Sequence, residues 1–374
     1  MKPTAMLLLL ALLSAAGLSQ AFQTSLLDLS GILPSLSRPA NHSRIFYAVM
    51  FDAGSTGTRI HVYTFIQSGS GNLPLLDNEM FHSIKPGLSA YADHPEVVSS
   101  SAPLDELPLH IMNGTNEGIL AWISLNFLTG HLKAPSKKTV GILDLGGGST
   151  QITFLPKLKK TIESVPVADY IARFDFFNST YELYTHSYLG NGLMAARLAT
   201  LGALGAEGLE WRVFKSSCLP KKFRDEWSFG GLTYQVSGDP DGYVGYKLCY
   251  QEVLKVVKGI IHQPYELEDN NVFYAFSYYF DRAVDAGLID GVQGGTLEVR
   301  DFKKRAKEVC NKMTKNPPVS PFLCMDMTYI TCLLKDGFGF KESAVLQLTK
   351  KVNNVEASWA LGATLDHFHH LKIR

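Results

Sequence analysis

The sequence has no surplus of charge of either sign: 35 lysines and arginines stand against 35 aspartates and glutamates, with no long run of one sign. A nucleic-acid binder carries a basic stripe or patch, so no nucleic-acid partner is expected. An anionic ligand would have to be held by local donors and metal rather than by a broad positive field. Cysteine is scarce and late; Cys218, Cys249, Cys310, Cys324 and Cys332 fit no zinc-ligand spacing. Long apolar runs are absent beyond the first residues, so no membrane span is expected in the mature chain. The stretch 89–109 lacks both helical and strand periodicity, with Pro95, Pro103 and Pro108 set around Ser99-Ser100-Ser101.

The apolar run that does occur, from Ala5 to Leu18, follows Lys2 and leads into Ser19-Gln20-Ala21. Residues 1–21 therefore read as a secretory signal peptide cut after Ala21, the run being shorter than a bilayer needs. That address, the endoplasmic reticulum lumen or the cell exterior, favours disulfides. Closure of local loops favours Cys218–Cys249 and Cys310–Cys324, leaving Cys332 as a buried thiol. Sequons occur at Asn41, Asn113 and Asn178. A chain of 374 residues, 46% apolar and 11% aromatic, can fill the cores of about two domains.

The chain is organised around Val49 to Tyr63. An apolar strand ends in Asp52, a Gly/Ser/Thr segment turns the chain, and an alternating strand returns through Ile60 and Val62. Gly54 and Gly57 let the backbone approach a ligand closely, so that successive N–H groups can form an oxyanion nest. Ser55, Thr56 and Thr58 add hydroxyls, and Asp52 can hold a divalent cation. The pattern then repeats from Gly141 to Phe154: Asp144 falls on Asp52, Gly146 on Gly54, Thr150 on Thr58 and Ile152 on Ile60, with Gly147 and Gly148 completing the second tip. Two such hairpins suggest two related α/β domains holding a phosphate and a metal ion between two aspartates. A single glycine-rich turn would carry little weight, because most bind nothing.

Elsewhere the patterns predict a strand within 73–84, a turn at 112–116 and a helix opening at Glu117 and stopping near Gly130. Further helices are predicted around 194–201, 246–262, 273–284, 302–313 and 321–335. Residues 227–235 alternate as strands, 336–340 read as a glycine-aromatic loop, and 345–352 with 355–368 read as a strand and helix that pack back onto the first domain. A carboxylate in a first helical turn, such as Glu117, is favoured by the macrodipole whatever its function. Arg59 is expected to be an ion-pair partner rather than a phosphate ligand, and His367, His369 and His370 a solvated helix end.

At the two hairpins, the Asn116-Glu117-Gly118 segment, Tyr184 to Gly190 and Trp359 to Ala363, the sequence resembles the nucleoside triphosphate diphosphohydrolases, or apyrases. It is most like their soluble secretory-pathway nucleoside diphosphatase branch, type 5. The resemblance implies an α/β fold of two actin-like (RNase-H-like) domains facing across a nucleotide cleft, here 44–113 with 346–374, and 114–345. It implies hydrolysis of nucleoside diphosphates such as UDP and GDP with Ca2+ or Mg2+. In that likeness Asp52 and Asp144 orient the cation, Glu117 takes the proton from water, and Ser149 and Gln151 position that water. The phosphate loops are Gly54, Ser55, Thr56, Gly57 and Thr58, and Gly146, Gly147 and Gly148. Tyr279, with Tyr278 and Phe338, is the candidate for the nucleobase.

The chain departs from the family in two respects, a missing motif and, less weightily, the sequon at Asn113. A Thr-Ala-Gly-Leu-Arg motif, which in the family lies on a central strand between the first hairpin and the base, is absent, and 89–109 occupies its place. The first domain is therefore expected to be shortened. Two readings follow: a working diphosphatase, or a splice-type remnant that binds nucleotide weakly or not at all. Asn113, beside the base, is expected to be unmodified.

Overall fold

The structure is a computed structural model that describes residues 43–68, 74–85, 87, 111–132, 138–176, 179–205, 212–265, 267, 272–313 and 320–371. The signal peptide, the sequons at Asn41 and Asn178 and the stretch 89–109 lie outside the described residues.

Strands β1 (Ser43–Ala53) and β2 (Thr58–Ser68) form the first hairpin, and β3 (Leu75–Ile84) adds to β2, all antiparallel. Alternation divides the faces. Phe46, Ala48 and Met50 lie opposite Phe65, Tyr63 and His61 on the inner face. The outer face shows Tyr47, Val49 and Met80 at 47%, 53% and 41% exposure. In the order β1-β2-β3, β1 has no second neighbour among the described residues. The His61 imidazole meets the Glu79 carboxylate at 2.7 Å with both side chains fully buried, and Glu79 also accepts from the Glu356 amide at 2.6 Å. This polar link ties the small sheet to the C-terminal region.

Helix α1 (Gly114–Leu128) leads to the second hairpin, β4 (Gly141–Leu145) and β5 (Ser149–Phe154). After a short α2 (Lys159–Glu163) come β6 (Ile171–Phe176), β7 (Ser179–Leu189) and α3 (Leu193–Thr200). A side sheet of β8 (Val213–Ser216), β9 (Arg224–Phe229) and β10 (Leu232–Gly238) precedes α4 (Tyr246–Val257). Then follow β11 (Phe273–Ser277), α5 (Tyr278–Asp285), β12 (Gly295–Glu298), α6 (Val299–Lys312) and α7 (Leu323–Cys332). The tail holds β13 (Val345–Leu348), β14 (Lys351–Val352), β15 (Val355–Glu356) and α8 (Ala360–His370). The large sheet runs β12-β13-β11-β4-β5-β7-β6, with β11 parallel to both β13 and β4.

Four expectations are corrected. Residues 273–277 are a strand, not the start of a helix: flanked by parallel neighbours and covered on both faces, β11 is an unbroken apolar run that periodicity cannot tell from a buried helix. The winding of α7 continues as a π-helical segment, Leu333–Phe338, where a loop was expected, and Gly339 ends it at φ 88°. Residues 345–352 split into β13 and a hairpin strand, because Asn353 and Asn354 both adopt positive φ and turn β14 into β15. Finally, α8 begins at Ala360, not at 355.

Two cores form. One joins the small sheet to α1, α8 and residues such as Ile142, Leu183 and Phe276 from one face of the large sheet. The other lies on the opposite face beneath α3 to α7. It contains the expected disulfides Cys218–Cys249 and Cys310–Cys324, with Cys332 buried and free. The sulfurs of Cys249, Cys310 and Cys324 lie within 4.8 Å of one another. Among the described residues no helix is long and apolar enough to cross a membrane.

Candidate active site

The two hairpin tips have matching hydrogen bonds. In the first, the Gly54 amide donates to the Gly57 carbonyl at 3.0 Å; in the second, Gly146 donates to Ser149 at 3.0 Å. Each aspartate thus ends its strand at the equivalent point. The tips also touch each other. A Cβ added to Gly147 would lie 2.6 Å from both Ser55 Oγ and Thr56 Cγ2, so any larger residue there would push the hairpins apart.

The second tip is oriented from behind. The Gly146 carbonyl accepts from Leu193, the Gly147 carbonyl from Met194 and Ala195, and the Gly148 carbonyl from Gly190, at 2.8 to 3.1 Å. A trans peptide points its N–H opposite its C=O. The amides of Gly147 and Gly148 are therefore aimed away from α3, and that of Ser149 away from Gly190, as an anion nest requires. The first turn of α3 has its own unsatisfied N–H groups, and the loop carbonyls satisfy them. Gly192 makes the close approach possible, since a Cβ there would collide with the Gly147 carbonyl and the Ser149 nitrogen.

Glu117 reaches the same region from α1. The helix starts at Gly114, within the expected turn 112–116, because the Asn113 side chain caps it by accepting from the Thr115 amide at 2.8 Å. Glu117 remains in its first turn. The helix lies close on β5 and β7 because Gly118 has no side chain; a Cβ there would sit 2.6 Å from Thr153 Oγ1. Gln151 Nε2 then contacts Glu117 Oε2 at 2.8 Å, Ser149 Oγ at 2.9 Å and Ser187 Oγ at 2.9 Å. Burial, reinforced by the negative charges of Asp144 and Asp52, pushes the Glu117 carboxyl up to about 8, against a smaller opposing pull from Arg59.

Asp52 and Asp144 are brought near one another and near Glu117, each close enough to act on its charge. Arg59 pairs with Asp52 at 2.7 Å, an ion-pair role. Asp144 is buried, which raises its carboxyl to about 6, opposed by the nearby Ser277 side chain and the positive charge of Arg59. Its Oδ1 has no hydrogen-bond partner. A buried carboxylate oxygen without a donor, next to a second carboxylate, suits the oxygen-ligand shell of a hard divalent cation.

The nucleobase expectation is corrected. Tyr279 and Phe338 are fully buried in the core and offer no ring face to a ligand. Tyr279 lies on the inner side of α5, close to Thr150 and Asp144, where the packing of α5 on the sheet seals it. Tyr278, the third aromatic, is only partly buried. Two site residues were missed. Ser187 follows from pairing, since β7 sets it directly opposite Gln151. Ser277 had no signal in the sequence.

The profile of the GDA1/CD39 (nucleoside phosphatase) family matches residues 38–107 and 98–374. The chain is 51% identical over 395 positions to ectonucleoside triphosphate diphosphohydrolase 5 of Gallus gallus, covering 91% of each chain. It is 50% identical over 396 positions to nucleoside diphosphate phosphatase ENTPD5 of Homo sapiens, again with 91% of each covered. It is 43% identical to ectonucleoside triphosphate diphosphohydrolase 6 of Mus musculus, with 90% and 86% covered. Since 91% of 374 residues is about 340, some 55 of the 395 positions aligned with the Gallus gallus protein fall opposite gaps in this chain. Among solved structures, a nucleoside triphosphate hydrolase from Neospora caninum superposes with a TM-score of 0.57 at 12% identity, covering 94% of this chain and 96% of the other, which supports the expected α/β, actin-like fold. With profile and relatives spanning nearly the whole described chain, the protein belongs to the GDA1/CD39 nucleoside phosphatase family.

Proposed function

We propose that this protein hydrolyses nucleoside diphosphates, UDP and GDP among them, to monophosphate and phosphate in the lumen of the secretory pathway. The observation that carries the reading is the contact of Glu117 with Gln151 beside two opposed aspartate-glycine tips. The relatives' names supply the substrate class.

The amides of Gly147, Gly148 and Ser149 receive the terminal phosphate, with the hydroxyls of Ser55, Thr56 and Thr58 on the other side. Asp52 and Asp144 would hold Ca2+ or Mg2+, which supplies charge neutralisation of the diphosphate oxygens. Gln151 and Ser149 orient a water on the side of Glu117. Glu117 takes its proton as the oxygen attacks the terminal phosphorus and the bond from that phosphorus to the bridging oxygen breaks, releasing the nucleoside monophosphate. Phosphoryl transfer to water is mostly positioning and charge neutralisation, so this donor set is enough. The raised Glu117 carboxyl is a stronger base once ionised.

A second reading, a remnant that turns over slowly or not at all, is favoured by the exposed apolar face around Tyr47 and Val49 on β1, which has no second strand neighbour among the described residues. One assay separates the two: phosphate release from UDP with Ca2+, compared with Glu117→Ala. Release from the natural chain that vanishes in the variant supports the enzyme. Equal background from both supports the remnant.

A further inference from the structure

The second tip is only as well aimed as the segment behind it. The first turn of α3 holds the Gly146 and Gly147 carbonyls, and Gly190 holds the Gly148 carbonyl, so any roll or slide of residues 190–197 carries the tip amides with it. That segment is itself gripped from α7. Arg197, one turn along α3 from Leu193, donates from Nε to Asp326 Oδ1 at 2.7 Å and from Nη2 to Asp326 Oδ2 at 2.5 Å. Tyr329, three residues on and hence on the same face of α7, donates its hydroxyl to the Asn191 carbonyl at 2.5 Å. The peptide that carries this carbonyl leads into Gly192, where α3 meets the tip.

Arg197, Asp326 and Tyr329 are 7%, 0% and 1% exposed. Stability alone does not account for the charged pair. Taking an arginine and an aspartate out of water offsets much of their attraction, and apolar residues of similar volume often serve a core as well or better. What the pair adds is direction, because a guanidinium fork on a carboxylate fixes both angle and distance. A second arginine, Arg282 of α5, reaches Asp326 Oδ2 at 3.4 Å and pairs with Asp285 at 2.7 Å, so the carboxylate is held from two helices.

We propose that Asp326 and Tyr329 are positioning residues, which set α3, through Arg197 and Asn191, at the place from which it aims the Gly147 and Gly148 amides at phosphate. Neither touches substrate. The proposal rests on the reading of those amides as the receivers of the terminal phosphate.

The test uses the full secreted chain with inorganic phosphate as the probe, its affinity measured by calorimetry in Mg2+, and with melting temperature and UDP hydrolysis alongside. Four variants are compared: Tyr329→Phe, the apolar pair Arg197→Met with Asp326→Leu, Gly147→Ala at the tip itself, and Leu297→Ala, a core truncation on the edge strand β12. Leu297→Ala is expected to melt lower and keep its phosphate affinity. Tyr329→Phe and the apolar pair are expected to bind phosphate about tenfold more weakly, the effect of one misdirected hydrogen bond to a charged group, and to lose about 10² in kcat. The apolar pair should do so while melting at or above the natural temperature. Natural phosphate affinity in both overturns the proposal, the grip then being structural only. Should the apolar pair melt low, Tyr329→Phe, which removes a single oxygen, decides alone. If Gly147→Ala binds phosphate like the natural chain, or the natural chain binds none, the reading of the tip has failed and the proposal with it.

Discussion

Glu117 Oε2 and Gln151 Nε2 lie 2.8 Å apart across 34 residues of sequence, one on the first turn of a helix and the other in the middle of a sheet. The contact needs α1 seated directly on β5, and it leaves the carboxylate close enough to Asp144 and Asp52 for their charges to act on it.

Removing either partner should separate chemistry from binding. Glu117→Gln is expected to lower kcat for UDP by about 10²–10⁴ with little change in KM, as loss of a general base does. Gln151→Ala should cost about 10² through misplacement of the water, and Ser187→Ala should cost less, because Ser149 still holds the amide. Steady-state kinetics on the three variants checks the order.

The raised carboxyls make the cation-free protein sensitive to pH. Glu117 moves from 4.5 to about 8 and Asp144 from 3.8 to about 6, so between the ordinary and folded values the folded state binds more protons than the unfolded one. Their contribution to stability is complete below about pH 4 and is lost as pH rises through 6 and then 8. Urea midpoints in chelator should fall from pH 5 to pH 8, and Glu117→Gln should flatten the upper part of that fall.

Gly118→Ala reverses a usual rule. In an open helix this change stabilises by roughly 1 kcal/mol. At position 118 the new methyl meets Thr153 Oγ1 at 2.6 Å and Thr185 Oγ1 at 3.1 Å, and overpacking of this kind costs about 1–3 kcal/mol. Chemical denaturation should show a loss, and kcat should drop further than stability because Glu117 is carried away from Gln151.

The two disulfides should contribute unequally. Loop closure over 31 and 14 residues gives about 4 kcal/mol for Cys218–Cys249 and about 3 kcal/mol for Cys310–Cys324. Paired Cys→Ser variants, unfolded in urea, check the ranking; Cys332→Ser should be close to neutral under oxidising conditions.

What the sequence disclosed was local. The aspartate-glycine hairpins carry their turn chemistry within about fifteen residues, and each disulfide closes a short loop, so neighbouring residues were enough to read them. Ser187 and Ser277 depend on strand register between segments far apart in the chain, which no local pattern records. Tyr279 was misread because a helix with aromatics on adjacent positions does not say which one faces the sheet. β11 was misread because a strand buried on both faces loses the alternation that identifies strands.

The three sulfurs that crowd within 4.8 Å bear on how the molecule is made. While its helices are still docking, a Cys249 thiolate can attack the Cys310–Cys324 bond as readily as it meets Cys218, since exchange needs only access and a thiolate. With the two bridges this close, a swap between neighbouring pairs is sterically open to this chain as it oxidises.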